Sequence, residues 1–214
     1  MALFDQKFGI KEVADVAFYN TGDVKYDKTT GDVTTVSGAE PVLLFTTLKT
    51  SGLEFTGETT EARGGKGNAV LMSWDHSREA TMTLEDALLS AKSLAAMLSN
   101  KAATEVGQNT VISIDANGFP GTYTVVGKTY ARGTDGKDHL LTFLIFKAKV
   151  SAEANLEMSA DGDPSTLNMT LKVLRCTNDT ADLNMGAADG DMVKLIIDDN
   201  SGTTVPTISF PGQK

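Results

Sequence analysis

The chain is poor in the residues on which reactive and cross-linked proteins depend. It has one cysteine, Cys176, in 214 residues, which excludes an internal disulfide framework and any multi-cysteine zinc site. With two histidines, His76 and His139, most imidazole-based metal and catalytic sites are excluded as well. Apolar runs are short. The longest, Leu140 to Phe146, is strand length and far below the roughly 20 residues a membrane helix needs. Met1 to Lys7 shows no basic segment followed by an apolar one, so the expectation is a soluble chain made in the cytoplasm without a signal peptide. Bases are outnumbered, 19 against 28 acids, for a net charge of −9. A tight DNA or RNA binder carries a basic stripe to neutralise phosphates. This balance argues against one, though not against a protein that sits near nucleic acid without sticking to it.

What is present suits a globular chain: 41% hydrophobic and 22% charged residues. At this length roughly 70% of the unfolded surface can be buried. Short β segments alternate with Gly, Asp, Asn and Thr clusters, the pattern of an all-β sandwich or barrel. The reading places strands at Val13–Phe18, Val42–Leu48, Leu53–Thr59, Val111–Ile114, Ala154–Ser159 and Met192–Asp198. Hairpins are expected around Lys28–Gly31, Asp75–Arg78, Gly133–Asp138 and Ala160–Pro164. In Ser165–Leu174, Leu167, Met169, Leu171 and Val173 alternate with Asn168, Thr170 and Lys172, which buries one face and leaves the other polar.

One segment departs from the β pattern. Leu84, Ala87, Leu88, Ala91, Leu94, Ala95 and Leu98 form an i, i+3, i+4 stripe, so a helix is expected at about 86–99, capped by Thr83 or Ser90. Thr177–Asp191 reads as a long loop and the last dozen residues as an arm. The fold expected is mainly β: two packed antiparallel sheets flanked by one helix. Residues 1–175 form the body. Residues 176–214 add an acidic loop, a strand and the arm to the same domain.

Motifs that suggest chemistry dissolve on inspection. Arg63-Gly64-Gly65-Lys66-Gly67-Asn68 lacks the P-loop spacing and the Ser or Thr after its lysine. With Glu61 it reads as a flexible loop available to a neighbouring subunit. Asp75-His76-Ser77 holds three triad residue types, but adjacent residues point apart. Asp161-Gly162-Asp163 and Asp189-Gly190-Asp191 lack the spaced acids and terminal Glu of a calcium loop, and read as turns. Cys176 reads as a buried, idle thiol. Glu54, Thr56 and Glu58 share one strand face, either an ordinary solvated face or an anionic surface turned toward a polyanion. Their carboxylates, about 13 Å apart, are too distant for a glycosidase pair. No enzyme, cofactor or metal site is expected. Trp74, with Leu71 and Met72 beside it, reads as a core residue rather than a binding platform.

The order of segments carries a resemblance. Leu53-Glu54-Phe55-Thr56-Gly57-Glu58-Thr59 precedes Ala62-Arg63-Gly64-Gly65 and a Trp-containing strand. Ala80-Thr81-Met82-Thr83-Leu84-Glu85-Asp86-Ala87-Leu88-Leu89-Ser90 then runs into the helix. Phe146-Lys147-Ala148-Lys149-Val150 is followed by Leu156-Glu157-Met158-Ser159 and Gly162-Asp163-Pro164-Ser165-Thr166. Over roughly residues 40–175 this resembles the tail tube proteins (major tail proteins) of long-tailed bacteriophages. The resemblance implies orthogonally packed sheets with one helix, and six copies per ring. It implies rings stacked into a hollow tube through which DNA passes without specific binding. Sheath, tape-measure, tail-terminator and baseplate proteins are the implied partners, and the virion tail the implied location. Glu54, Thr56 and Glu58 would line the lumen; Glu61, Arg63, Gly64, Gly65, Lys66 and Asn68 would meet a neighbouring subunit. The rivals are another virion β-sandwich, such as a decoration or tail-terminator protein, and a surface- or carbohydrate-binding module.

Overall fold

The structure is a computed structural model that describes residues 7–36, 38–88, 90–99, 101–151, 166–198 and 208–212. The first strands are β1 (Phe8–Ile10), β2 (Asp15–Asn20), β3 (Val24–Tyr26), β4 (Val33–Thr35) and β5 (Leu43–Phe45). They are followed by β6 (Leu48–Gly64), β7 (Ala69–Asp86) and helix α1 (Ala91–Leu98). Then come β8 (Thr104–Val106), β9 (Asn109–Val111), β10 (Thr122–Gly133), β11 (Asp138–Val150) and β12 (Leu167–Val173). Helix α2 (Thr180–Asn184) and β13 (Val193–Ile197) complete the described elements. The expected strands at Ala154–Ser159 and turn at Ala160–Pro164 lie outside the described residues.

The architecture is mainly β and antiparallel, as the alternation predicts. One hydrogen-bonded path runs β5-β2-β10-β11-β12-β7-β6, with β1 added on β10 and β13 on β11. The length of β11 explains why the two sheet arms join. Its residues 141–145 pair with β13 and its residues 148–150 pair with β12. β3–β4 and β8–β9 are separate two-stranded ribbons.

Strand periodicity divides the interior in two. On β2, Val16 and Phe18 face a core shared with Val125, Ile145, Met82, Leu84, Leu171 and α1's Met97. The alternate residues Ala17 and Tyr19 face a second core with Val126, Leu144, Phe146, Met185 and Phe210. The central strands are thus buried on both faces, while β12 alternates as its sequence requires: Leu167, Met169, Leu171 and Val173 are buried, and Asn168, Thr170 and Lys172 are exposed.

Gly127 on β10 is fixed by packing. It lies directly across from Phe143 on β11, and a Cβ there would be driven into the Phe143 ring. Gly127→Ala is expected to destabilise the domain by about 3 kcal/mol, the cost of overpacking a core. A second change, Phe143→Leu, should restore most of it. Urea unfolding of the single and double variants measures both.

The helix is shorter than the stripe suggests. It starts at Ser90, whose Oγ accepts from the Ser93 amide at 3.0 Å while Ser93 Oγ accepts from the Ser90 amide at 3.1 Å, a reciprocal capping box. Residues 86–90 are not its first turn, because Asp86 is held as the end of β7. Thr47 Oγ1 donates to its carboxylate at 2.6 Å, and Ala87 N–H donates to Thr47 O at 3.1 Å.

Thr177–Asp191 is not one long loop. It contains α2, capped by Asp179, which accepts from the Asp182 amide at 2.8 Å. Asp182 is buried and takes Lys147 Nζ at 2.7 Å and the Thr177 amide at 2.6 Å. Among the described residues the fold therefore has two helices, not one. Cys176 is buried beside them, and desolvation pushes its thiol up to about 11, the state of an inert cysteine. Part of the expected arm is docked: Tyr19 Oη donates to Pro211 O at 2.7 Å, Lys128 Nζ to Ser209 O at 2.7 Å, and Phe210 is buried.

Candidate assembly surface

β6 and β7 form the feature that sets this molecule apart. They are 17 and 18 residues long, where strands usually have three to ten. At about 3.3 Å per residue the hairpin spans roughly 55 Å. Its turn is at 65–68, where Gly65, Gly67 and Asn68 have φ of 76°, 87° and 50°. That glycine-rich chemistry is what a tight reversal needs.

Two sequence expectations are corrected here. Glu61, Arg63 and Gly64 are not in a loop, because β6 continues through Gly64; only Gly65, Lys66 and Asn68 belong to the turn. Asp75–Arg78 is not a hairpin turn either, because β7 runs straight through it. It is a bulge. Thr56 pairs with Glu79 and Glu58 with His76, so Ser77 and Arg78 stand opposite Gly57 alone. Ser77 takes the left-handed φ of 54° that the extra residue requires. The polar run Asp-His-Ser-Arg imitates a turn, but the strand continues because Glu58–Gly64 pairs with it along its length.

Near the body, one face of the hairpin is core: Met82 and Leu84 are buried, and Leu53 packs against them. From Phe55 and Glu79 outward every residue of both strands is exposed except Gly64, beside the turn. β6 is also the last strand of the sheet, so its outer backbone edge has no strand partner among the described residues.

Cross-strand register decides which groups share the outer face. Glu54, Thr56 and Glu58 do lie together there, opposite Thr81, Glu79 and His76. The register adds Thr83 and Glu85 from β7, and Thr170 and Lys172 from β12. Glu79 and Glu85 were not singled out from sequence. They become visible only when the pairing is counted from the turn at 65–68 with its one-residue slips. Their charge is met by two lysines, Lys172 at 3.5 Å from Glu79 and Lys49 at 4.0 Å from Glu85. Glu58 lies 3.4 Å from His76 Nε2, at the bulge. Glu61 accepts from Arg63 Nε at 2.9 Å.

The other motifs take structural roles. Asp75 accepts from Thr59 Oγ1 at 2.7 Å, and His76 is beside Glu58, so Asp75, His76 and Ser77 do not converge. Asp189 pairs with Arg175 at 3.1 Å, and Asp191 with Lys194 at 2.9 Å, closing a turn. Asp161–Asp163 lies outside the described residues. Among the described residues no group of three or more His, Cys, Asp or Glu stands where it could hold a metal ion. Trp74 is not a core residue: it is 48% exposed, beside Met72 at 65% and Leu71 at 69%. No helix among the described residues is long and apolar enough to cross a membrane.

A mainly β body with a projecting hairpin is the setting for the comparison with known families. Residues 8–110 and 101–185 match the model of the YomU/Tube protein family. The chain belongs to the YomU/Tube protein family. The match extends past both ends of the segment that carries the resemblance, taking in β1 to β4 on one side and α2 on the other. Both strands of the exposed hairpin lie within it, so the hairpin belongs to the part of the chain that defines a YomU/Tube protein. No curated protein matches the chain.

Proposed function

We propose that this chain is the structural subunit of a bacteriophage tail tube, assembling into hexameric rings that stack into a hollow conduit for DNA. The observation that carries the reading is the 17- and 18-residue hairpin, most of whose length is covered by nothing among the described residues, in a YomU/Tube family member. An exposed strand edge of this length is a liability for a monomer. Pairing it with a sister copy removes the liability, and a closed ring removes it for every copy. In this reading the hairpins build the inner wall and the turn residues Gly65, Lys66 and Asn68 approach a neighbouring subunit.

The face bearing Glu54 and Thr56 turns toward the bore, joined by Glu79 and Glu85, and Glu58 at the bulge marks its end. Like charge keeps phosphate from adhering, so DNA slides through without specific contact. The role is structural rather than catalytic, and the location is the virion tail, assembled in the host cytoplasm. Sheath, tape-measure, tail-terminator and baseplate proteins are its proposed neighbours.

Negative-stain microscopy of the concentrated protein tests the reading. Hollow tubes or six-fold rings are expected; monomers at every concentration would rule it out. The lumen assignment has a separate test. Glu54→Lys with Glu79→Lys should leave tube formation intact and slow DNA ejection from reconstituted particles. Ejection at the normal rate would remove these residues from the bore.

A further inference from the structure

The bulge at Ser77 and Arg78 changes which side of the hairpin is apolar. Along β7 the even positions are apolar at Val70, Met72 and Trp74 and again at Ala80, Met82 and Leu84, with His76 and Arg78 between them. Met82 and Ala80 face into the core. In a regular strand Trp74 and Met72 would continue on that side, the side that Phe55 shares with Ala80. The extra residue reverses the alternation. Trp74 instead pairs with Thr60 and Met72 with Ala62, on the same face as Glu58. A bulge also bends and overtwists its strand, which turns the outer section away from the plane of the sheet. The indole and thioether lie on the outer face of a ribbon both of whose faces are exposed.

A second surface is open elsewhere on the molecule. Between α1, β2 and β5 lies a groove of about 430 Å³. Small residues of and after α1, Ala95, Ala96 and Ala103, face Leu43 and Tyr123 across it. Its rim carries Lys92 and Lys101. Lys92 makes no ion pair among the described residues, and Lys101 meets Asp115. The exposed ribbon has large side chains with one acid, Glu58, diagonally across the strand pair from Trp74 on the same face. The groove has small side chains with bases at its edge.

We infer that these two surfaces are the halves of one contact between copies: Trp74 and Met72 of one copy seat in the α1 groove of the next, with Lys92 and Lys101 facing Glu58. The inference rests on the reading that the chain self-assembles, and names where. The occupant is a second copy because fit and charge on the two surfaces complement each other. The surfaces differ, so the contact is head-to-tail and repeats from copy to copy. Trp74 is the anchor, since a large aromatic in a small-residue pocket is the usual centre of such a contact.

Cross-linking and assembly kinetics test it. In the full chain, Thr60→Cys, at the cross-strand partner of Trp74, with Ala103→Cys should give a ladder of disulfide-linked multimers on mild oxidation; Cys176 is buried and should contribute none. Met72→Ala with Trp74→Ala should leave thermal unfolding of the monomer unchanged and slow assembly at least about tenfold. Lys92→Glu should slow assembly also, and Glu58→Lys in the same chain should restore part of it. Tubes that form at the normal rate without Trp74 and Met72, or tubes in which the paired cysteines never cross-link, overturn this contact and leave the tube reading standing. A wild-type chain that stays monomeric overturns both.

Discussion

Cutting the hairpin back to the sheet is expected to abolish assembly and leave the body folded. In such a variant residues 57–78 are replaced by Asn-Gly, which joins Thr56 to its pairing partner Glu79 through a two-residue turn. The removed residues are exposed, except Gly64 beside the turn, and contribute nothing to either core cluster. Their loss should shift the thermal midpoint by only a few degrees, in line with the small effect of changes away from packed groups. Sedimentation velocity should show monomers at concentrations where the full chain forms tubes, with circular dichroism unchanged in shape apart from the lost strand signal. Tubes of normal diameter from the shortened chain would show that the inner wall is built from another part of the molecule.

The second large effect concerns stability. Asp182→Ala is expected to cost about 3–5 kcal/mol, the penalty for stranding one member of a buried ion pair. Asp182 is 1% exposed, and its carboxylate takes both the Lys147 ammonium and the Thr177 amide. Lys147 is 19% exposed, so it keeps some contact with solvent and the lower half of that range applies. Against a total of about 5–15 kcal/mol for a domain, this is a large share. At about 2–4 °C per kcal/mol the midpoint should fall by roughly 6–15 °C. Replacing the pair together, Lys147→Met with Asp182→Leu, should recover most of the loss, because the cost lies in the orphaned charge. Calorimetry of the single and double variants decides it; equal losses in both would show that α2 depends on the carboxylate's shape rather than its charge.

Much of the body was legible because strand burial has a period of two. β12 was readable residue by residue, since each apolar position faces the core and each polar one faces out. β10 and β11 were readable from their Val, Ile, Leu and Phe content around a Gly-Asp turn. α2 was not: a five-residue helix is too short to show a 3.6-residue period, and its capping Asp179 looks like any loop acid. The stripe alone could not choose between Thr83 and Ser90 as the cap of α1, because Leu84 and Ala87 happen to continue it, while Leu84 serves the β7 side of the core; Ser90 is the cap. At the candidate surface, Glu54, Thr56 and Glu58 could be assigned a common face from alternation alone. Their neighbours Glu79 and Glu85 could not, because facing depends on register, and register depends on two slips that the one-dimensional pattern hides. Trp74 was misread because Leu71 and Met72 precede it, while the strand pair there has left the body and both of its faces are exposed.

The unshared border of β6 also constrains how subunits survive before they meet. A bare, flat, apolar border of this length would template amyloid-like stacking in a crowded cell. Here Glu54, Glu58, Glu61, Arg63 and Lys66 recur along the strand and its turn, the charged punctuation that works against indiscriminate edge-to-edge stacking. In the proposed tube the same acids that keep the channel slippery would also discourage fibrils of the free subunit.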